Sequence, residues 1–162
     1  MNRRKFLAYL GRFAVIFAFF GQAIAAFRSI IPNTLYEPPK KFKLGFPQDF
    51  PEGITYLSKY RLFVVKEGNT FWALTAICQH LGCTVNLVHL PEPKKVNLGK
   101  RVIEEKWEFY CPCHGSKYYG DGTVYAGPAP RGLPHYYLDL APDGQLVVDV
   151  SKEVPLEFRL KV

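Results

Sequence analysis

Two short stretches, Cys78-Gln79-His80-Leu81-Gly82-Cys83 and Cys111-Pro112-Cys113-His114-Gly115-Ser116, decide the fold of this 162-residue chain. Each stretch contains one cysteine and one histidine at metal-ligand spacing, Cys-x-His in the first and Cys-x-x-His in the second. Each also contains a second cysteine, and together they hold all four cysteines of the chain. Two thiolates and two imidazoles can bind either a single zinc ion or a 2Fe-2S cluster.

The choice between zinc and an iron–sulfur cluster depends on the residues around these pairs. Zinc is the simpler interpretation, because cysteine and histidine are its usual structural ligands. Cys-x-His is tighter than the usual spacing of zinc ligands, however, and the second cysteines, Cys83 and Cys113, occupy matching places beside the two pairs. Gly82 and Gly115 let main-chain N–H groups approach inorganic sulfur, and Ser116 adds a hydroxyl donor. Such a ring of donors favours an anionic sulfide cluster and leaves a structural zinc module as the alternative.

The two stretches resemble the cluster motifs of Rieske iron–sulfur proteins, specifically the membrane-anchored subunit of cytochrome bc-type quinol oxidoreductases. The family pattern is Cys-Thr-His-Leu-Gly-Cys followed by Cys-Pro-Cys-His-Gly-Ser-x-Tyr. The chain departs from this pattern at Gln79, where the family has threonine and no ligand. A third match is Gly127-Pro128-Ala129-Pro130, the Pro loop that covers the cluster in the family. The resemblance extends from the N-terminal segment to about Val150.

The resemblance implies one Rieske-type 2Fe-2S cluster with two cysteine and two histidine ligands. Carried over by position, the ligands are Cys78 and Cys111 on one iron and His80 and His114 on the other. Neutral imidazoles in place of two thiolates make the cluster easier to reduce, which places its potential at about −150 to +300 mV against about −400 mV for plant-type clusters. A histidine ring nitrogen that does not bind iron can exchange a proton, so the two histidines, as the catalytic residues, would couple one electron to one proton.

The resemblance also implies roles for the residues around the cluster. It implies a disulfide between Cys83 and Cys113, and hydrogen bonds from Ser116 and Tyr118 to cluster and thiolate sulfur. The residues implied to cover the cluster and to form the apolar docking tip are Leu81, Gly127, Pro128 and Pro130. The remaining histidines, His89 and His135, lie outside the motifs, and we expect each to be a surface or strand residue.

The charge of the chain is concentrated at its N-terminus. The formal net charge is +7, but the first 28 residues carry five basic and no acidic residues, and the remainder carries 16 basic and 14 acidic residues. No basic stripe with interleaved aromatic residues occurs, which indicates no nucleic-acid partner. The length fits one soluble domain plus a membrane anchor.

The segment from Phe6 to Phe27 is almost wholly apolar, and as a helix it would span roughly 33 Å, enough for a bilayer. Arg3-Arg4-Lys5 precedes it, which predicts a cytoplasmic N-terminus and resembles a twin-arginine export signal. We therefore predict a signal or transmembrane anchor at 1–27, a proline-containing hinge at 28–40 and the cluster domain at 41–162. Cleavage near Ala23-Ile24-Ala25 is the alternative to a retained anchor.

The head is predicted to be mainly β. Strands at 61–66 and 70–77 flank the turn Glu67-Gly68-Asn69, a strand at 101–110 leads into the second cluster stretch, and a late strand covers 145–150. The segment 90–100, with two prolines and several lysines, is interpreted as an insertion loop. We predict an antiparallel β head whose two-loop cluster-binding subdomain covers about 76–134, preceded by one transmembrane helix.

The function implied by the resemblance is electron transfer within a quinol–cytochrome c oxidoreductase, so the chain is an enzyme only as a subunit. The implied partners are a cytochrome b subunit, a c-type cytochrome, quinol and membrane lipid. The implied location is the bacterial cytoplasmic membrane, with the head on the periplasmic side, where a disulfide can form. The small Rieske subunit of a periplasmic molybdenum oxidase, such as arsenite oxidase, is the alternative. A Rieske ferredoxin of a ring oxygenase fits less well, because those proteins lack the second cysteine pair and the anchor.

Overall fold

The computed structural model of the chain describes residues 2–31, 39–99 and 102–162. The chain forms two compact units, Met1–Pro38 and Pro39–Val162. The first contains helix α1 (Arg3–Ile30). The second contains strands β1 (Lys41–Gly45), β2 (Gly53–Leu57), β3 (Leu62–Glu67), β4 (Thr70–Thr75), β5 (Asn86–Asn97), β6 (Val102–Tyr110), β7 (Lys117–Tyr118), β8 (Val124–Ala126), β9 (His135–Leu140), β10 (Leu146–Val154) and β11 (Leu160–Lys161), with short 3-10 helices at Pro47–Asp49 and Ser58–Tyr60.

Helix α1 is long and apolar enough to span a membrane. Its 28 residues extend about 42 Å at 1.5 Å per residue, more than the hydrocarbon thickness of roughly 30 Å. The helix ends at Ile30, three residues into the segment predicted as a hinge, and residues 32–38 of that segment lie outside the described residues. The division of the chain at 27 and 40 stays a prediction.

The larger sheet has the order β1-β10-β9-β4-β3-β2, with β11 also paired to β4, and its pairs are antiparallel. Alternate side chains of a strand point to opposite faces of a sheet. Nearly all side chains of β3 and β4 are buried, so both faces of the sheet are covered there. In β3, Phe63 and Val65 pack into one core cluster, whereas Leu62 and Val64 pack into the other. The first of these clusters also contains Cys78 and Cys111, so the hydrophobic core extends directly to the cysteine stretches.

The smaller sheet has the order β5-β6-β7-β8. The segment 90–100 was predicted to be an insertion loop, and this prediction is wrong. Most of it belongs to β5, which pairs with β6. Lys94 lies opposite Glu105, and Val96 lies opposite Ile103. The prolines are tolerated because β5 is an edge strand and its register shifts between His89 and Lys94.

The predicted fold class is confirmed: antiparallel β-sheets follow one N-terminal apolar helix. The hairpin predicted around Glu67-Gly68-Asn69 is formed by β3 and β4. Strand β4 leads into the first cysteine stretch and β6 into the second. The two stretches therefore start from different sheets and meet beside the core that the sheets share.

Glu105 is a buried carboxyl on β6 that sequence analysis did not single out. Its side chain is fully enclosed, and its Oε1 accepts a hydrogen bond from the Gly120 main-chain N–H at 2.5 Å. Lys94 Nζ lies 3.9 Å from the other carboxylate oxygen. Burial raises the pKa of Glu105 above its ordinary value, because it disfavours the charged form, and the Gly120 and Lys94 interactions only partly oppose this.

We expect the substitution Glu105→Gln to flatten the dependence of the free energy of unfolding on pH. The folded state holds the Glu105 proton more tightly than the unfolded state does. Stability is therefore lost as pH rises from the ordinary carboxyl pKa of 4.5 through the raised folded pKa. Glutamine does not titrate, yet it keeps the oxygen that accepts from Gly120. Denaturant unfolding at several pH values measures this, with exposed Glu104→Gln as the control, and an unchanged pH profile in Glu105→Gln would contradict the expectation.

Candidate functional site

The two cysteine stretches form loops of the same backbone design. In the first, the Cys78 N–H donates to the Cys83 carbonyl at 2.7 Å and the Gly82 N–H donates to the Cys78 carbonyl at 3.0 Å. In the second, the Cys111 N–H donates to the Ser116 carbonyl at 2.8 Å and the Gly115 N–H donates to the Cys111 carbonyl at 3.0 Å. Gly82 and Gly115 have φ angles of 82° and 75°, a left-handed conformation that favours glycine. In both stretches the glycine lies four residues after the first cysteine, and the two loops share the same main-chain hydrogen bonds.

The four cysteines divide into two pairs with different chemistry. Cys78 and Cys111 are free, and each is only 2% exposed. Cys83 and Cys113 form the predicted disulfide, which joins the loops across 30 residues of sequence. The sulfur atoms of this bridge and of Cys111 lie within 4.8 Å of one another. Because the bridged sulfurs have no thiolate to offer, Cys78 and Cys111 are the two cysteines available as thiolate ligands.

The two motif histidines lie side by side at the ends of the loops. The ring centroids of His80 and His114 are 4.9 Å apart, with the rings nearly perpendicular. His114 is exposed, whereas Nδ1 of His80 is buried and makes no hydrogen bond to the described residues. A buried nitrogen without a donor or acceptor partner is costly unless it binds a metal or another group. The residues present therefore fit a cluster held by two thiolates and two imidazoles.

Tyr118 lies on β7, just after the second cysteine loop, and contacts the first cysteine loop through its hydroxyl group. The fully buried phenol contacts Cys78 Sγ at 3.1 Å and accepts a hydrogen bond from the Gln79 main-chain N–H at 3.3 Å. Burial, followed by the hydrogen bond with Cys78, raises the pKa of Tyr118 well above its ordinary value, so the phenol keeps its proton. Since its oxygen already accepts from Gln79, that proton can be donated to Cys78 sulfur.

The two free thiols have different proton affinities. Burial raises the pKa of the Cys111 thiol, and the neighbouring Cys78 raises it further. At Cys78 burial also raises the pKa, but hydrogen bonds from Tyr118 and from the main chain at His80 outweigh it, so the pKa lies below its ordinary value. Ser116 Oγ is buried close to Cys78 and also lowers the pKa of this thiol, although it makes no well-aligned hydrogen bond to the described residues. These donors stabilise negative charge on sulfur, as a cluster requires.

The Pro loop packs directly on the second cysteine loop. Gly127 has a φ of 91°, and a Cβ placed there would lie 2.5 Å from Ser116 Cα, so only glycine allows this approach. Ala129 is buried in the core cluster that contains Cys78, whereas Pro128 and Pro130 are exposed. Leu81, which follows His80 in the first cysteine loop, is a large apolar residue that is 71% exposed.

The structure also shows a contact to the first cysteine loop that the sequence did not predict, and it places the two histidines outside the motifs. Arg61 adopts a left-handed conformation and donates to the Gly82 carbonyl at 2.6 Å, which supports the first loop from 21 residues away. No local pattern marks this contact. His89 is an exposed residue of β5, and buried His135 on β9 contacts the Asp121 carbonyl at 2.9 Å. Both histidines are strand residues outside the cysteine loops.

Comparison with known proteins agrees with this geometry. Residues 40–137 match the family model of the Rieske [2Fe-2S] domain. The chain is 32% identical over 140 residues to the cytochrome b6-f complex iron-sulfur subunit of Chlorobaculum tepidum, a match covering 80% of this chain and 68% of that protein. It is 37% identical over 90 residues to the menaquinol:cytochrome c reductase iron-sulfur subunit of Bacillus subtilis, covering 56% of this chain and 47% of that protein.

Among solved structures, a cyanobacterial plasma membrane Rieske protein from Synechocystis PCC 6803 matches with 28% identity and a TM-score of 0.40, covering 66% of this chain and 97% of that one. The family and sequence matches show that the chain belongs to the Rieske family of iron–sulfur proteins, and they confirm the predicted 2Fe-2S cofactor. Within the family it is a Rieske protein of the cytochrome bc type, as its sequence predicted.

Proposed function

We propose that the chain carries electrons within a quinol–cytochrome c oxidoreductase, from quinol held by a cytochrome b subunit to a c-type cytochrome. The observation that supports this best is the arrangement of the two loops. Two free thiols are buried in the protein core, and two histidine rings lie together at the loop ends beside exposed Leu81. An electron carrier needs this asymmetry, with one side of its cofactor insulated and the other within reach of a partner.

In this proposal Cys78 and Cys111 hold one iron and His80 and His114 hold the other. When bound, the cluster supplies a site that accepts and releases one electron. The His114 ring is exposed, so its nitrogen that does not bind iron can accept a hydrogen bond from a quinol hydroxyl and take up the proton. Leu81, which follows His80 in the chain, offers an exposed apolar side chain to cytochrome b. The Pro loop, through Gly127, Pro128 and Pro130, covers the site from another side.

The proposed location is the bacterial cytoplasmic membrane, crossed once by α1, with the head on the periplasmic side. Basic residues precede α1, which favours a cytoplasmic N-terminus. The Cys83–Cys113 disulfide suits an oxidising compartment, because the cytosol keeps thiols reduced. Segments 1–27, 28–40 and 41–162 would then serve as anchor, hinge and cluster domain, and membrane lipid would be a partner of the first.

Purification of the full chain from native membranes with mild detergent tests the proposed function. We expect a cytochrome b subunit to co-purify, and the preparation to reduce a c-type cytochrome with quinol. His114→Ala should abolish this activity, whereas the matched control His89→Ala, at an exposed position on β5, should retain it. Co-purification with a molybdenum-containing subunit, and without cytochrome b, would contradict the proposal and favour the alternative oxidase.

Two hydroxyl groups are expected to raise the midpoint potential of the cluster. Tyr118 contacts Cys78 Sγ, and Ser116 Oγ is buried beside the same thiol. Hydrogen bonds to charged groups contribute about 1.5–3 kcal/mol, and about 1.4 kcal/mol of preference for the reduced form corresponds to about 59 mV. Tyr118→Phe and Ser116→Ala should therefore each lower the midpoint potential by several tens of millivolts, roughly the shift that one such hydrogen bond supplies. Voltammetry measures this, and unchanged potentials in both variants would refute the proposed tuning.

A further inference from the structure

Arg131 lies directly after the Pro loop and contacts two parts of the head at once. Its Nε donates to Gln79 Oε1 at 3.0 Å. Its two terminal nitrogens donate to the two carboxylate oxygens of Glu153, at 3.0 and 3.2 Å. We call Gln79, Arg131 and Glu153 the arginine clasp. Glu153 belongs to β10 and lies opposite Tyr136 in the larger sheet, so the clasp connects a cysteine loop to a rigid sheet.

Gln79 is fixed at its side chain and at its main chain. Its Nε2 donates to the Ile77 carbonyl at 2.8 Å, while Oε1 accepts from Arg131. Its main-chain N–H donates to the Tyr118 hydroxyl, which contacts Cys78 Sγ. Any displacement of Gln79 therefore moves its main-chain N–H, which is the donor that orients the Tyr118 hydroxyl. Threonine, the usual family residue here, is too short to make the same contact with Arg131, since its hydroxyl is two bonds closer to the main chain.

We propose that Arg131 is a positioning residue that sets the midpoint potential of the cluster. It holds Gln79 where the main-chain N–H occupies the Tyr118 oxygen, and this directs the phenol proton to Cys78 sulfur. The proposal rests on the role of Cys78 as a ligand in the proposed function. Arg131 and Glu153 are 58% and 52% exposed, and exposed ion pairs add little to global stability. The two parallel hydrogen bonds to Glu153 instead fix the orientation of the Arg131 guanidinium. Removing them should displace Gln79 in the first cysteine loop and leave the fold intact.

The experiment compares midpoint potentials of the purified full-length chain in detergent, measured by voltammetry without quinol or cytochrome. Arg131→Ala and Gln79→Thr should each shift the equilibrium between reduced and oxidised cluster about threefold toward the oxidised form, which is about 28 mV. The double variant should shift no further than either single variant, because both remove one contact. Arg131→Lys, which lacks the planar fork, should fall between wild type and Arg131→Ala.

Lys43→Ala is the matched control. It removes an exposed ion pair with Asp143 in the same unit, and among the described residues no hydrogen bond or ion pair links either residue to a cysteine loop. Its potential should equal that of the wild type. The proposal is overturned by unchanged potentials in Arg131→Ala and Gln79→Thr, by additive shifts in the double variant, or by an equal shift in Lys43→Ala. If Arg131→Ala fails to keep its cluster, Gln79→Thr decides alone. Because no quinol is present, loss of the proposed quinol reaction cannot imitate any of these results.

Discussion

Alanine at His80 or at His114 is expected to abolish the cluster signal, the largest effect of any single substitution considered. One iron would lose a ligand, and the buried nitrogen of His80 has no hydrogen-bonding role in the described structure that would explain its position otherwise. Electron paramagnetic resonance of the reduced protein and iron content measure the effect. We expect each variant to lose nearly all of the cluster signal.

His89→Ala is the control for this prediction, because His89 is exposed on β5 and lies outside the cysteine loops. The signal should survive, and His135→Ala should likewise keep it. If His89→Ala lost the cluster while His80→Ala retained it, the ligand assignment would be wrong.

Replacing both disulfide cysteines, as Cys83→Ser with Cys113→Ser, is expected to destabilise the head and make the cluster labile. Removal of a native disulfide from a small domain typically costs about 2–5 kcal/mol of unfolding free energy. Here the bridge joins the two loops that carry the proposed ligands, so its loss should affect the site directly. Denaturant unfolding measures the stability, and the decay of visible absorbance measures cluster loss.

Lys43→Ala, which removes a contact far from these loops in the sequence, should leave both measurements near wild type. Alkylation provides an independent check of the bridge. Cys83 and Cys113 should resist alkylation in the oxidised protein and react after reduction. Ready labelling of Cys83 before reduction, or an equally long-lived cluster in the double variant, would contradict the prediction.

Local patterns in the sequence predicted the elements whose cause is itself local. The apolar run at 6–27 predicted a helix, because its length matches a bilayer and it carries few charges. The turn at Glu67-Gly68-Asn69 predicted the hairpin of β3 and β4, because glycine adopts the positive φ that the turn requires. The segment 90–100 was misread as a loop because its prolines usually interrupt strands. Only pairing with β6 shows that β5 is an edge strand on which they are tolerated.

By itself the sequence determined the family, the 2Fe-2S cofactor and the apolar helix, since two cysteine and histidine motifs at fixed spacing are rare and specific. Spacing alone left zinc and iron–sulfur chemistry open, and only the family resemblance decided between them. The tertiary structure decided which thiols are buried, which donors face Cys78, and that Arg61 and Arg131 support the first cysteine loop. It also decided that Glu105 is buried against the Gly120 main chain. The physical reason is that hydrogen bonds and burial depend on groups far apart in the chain. Arg131 and Gln79, 52 residues apart, meet only once the sheets have packed.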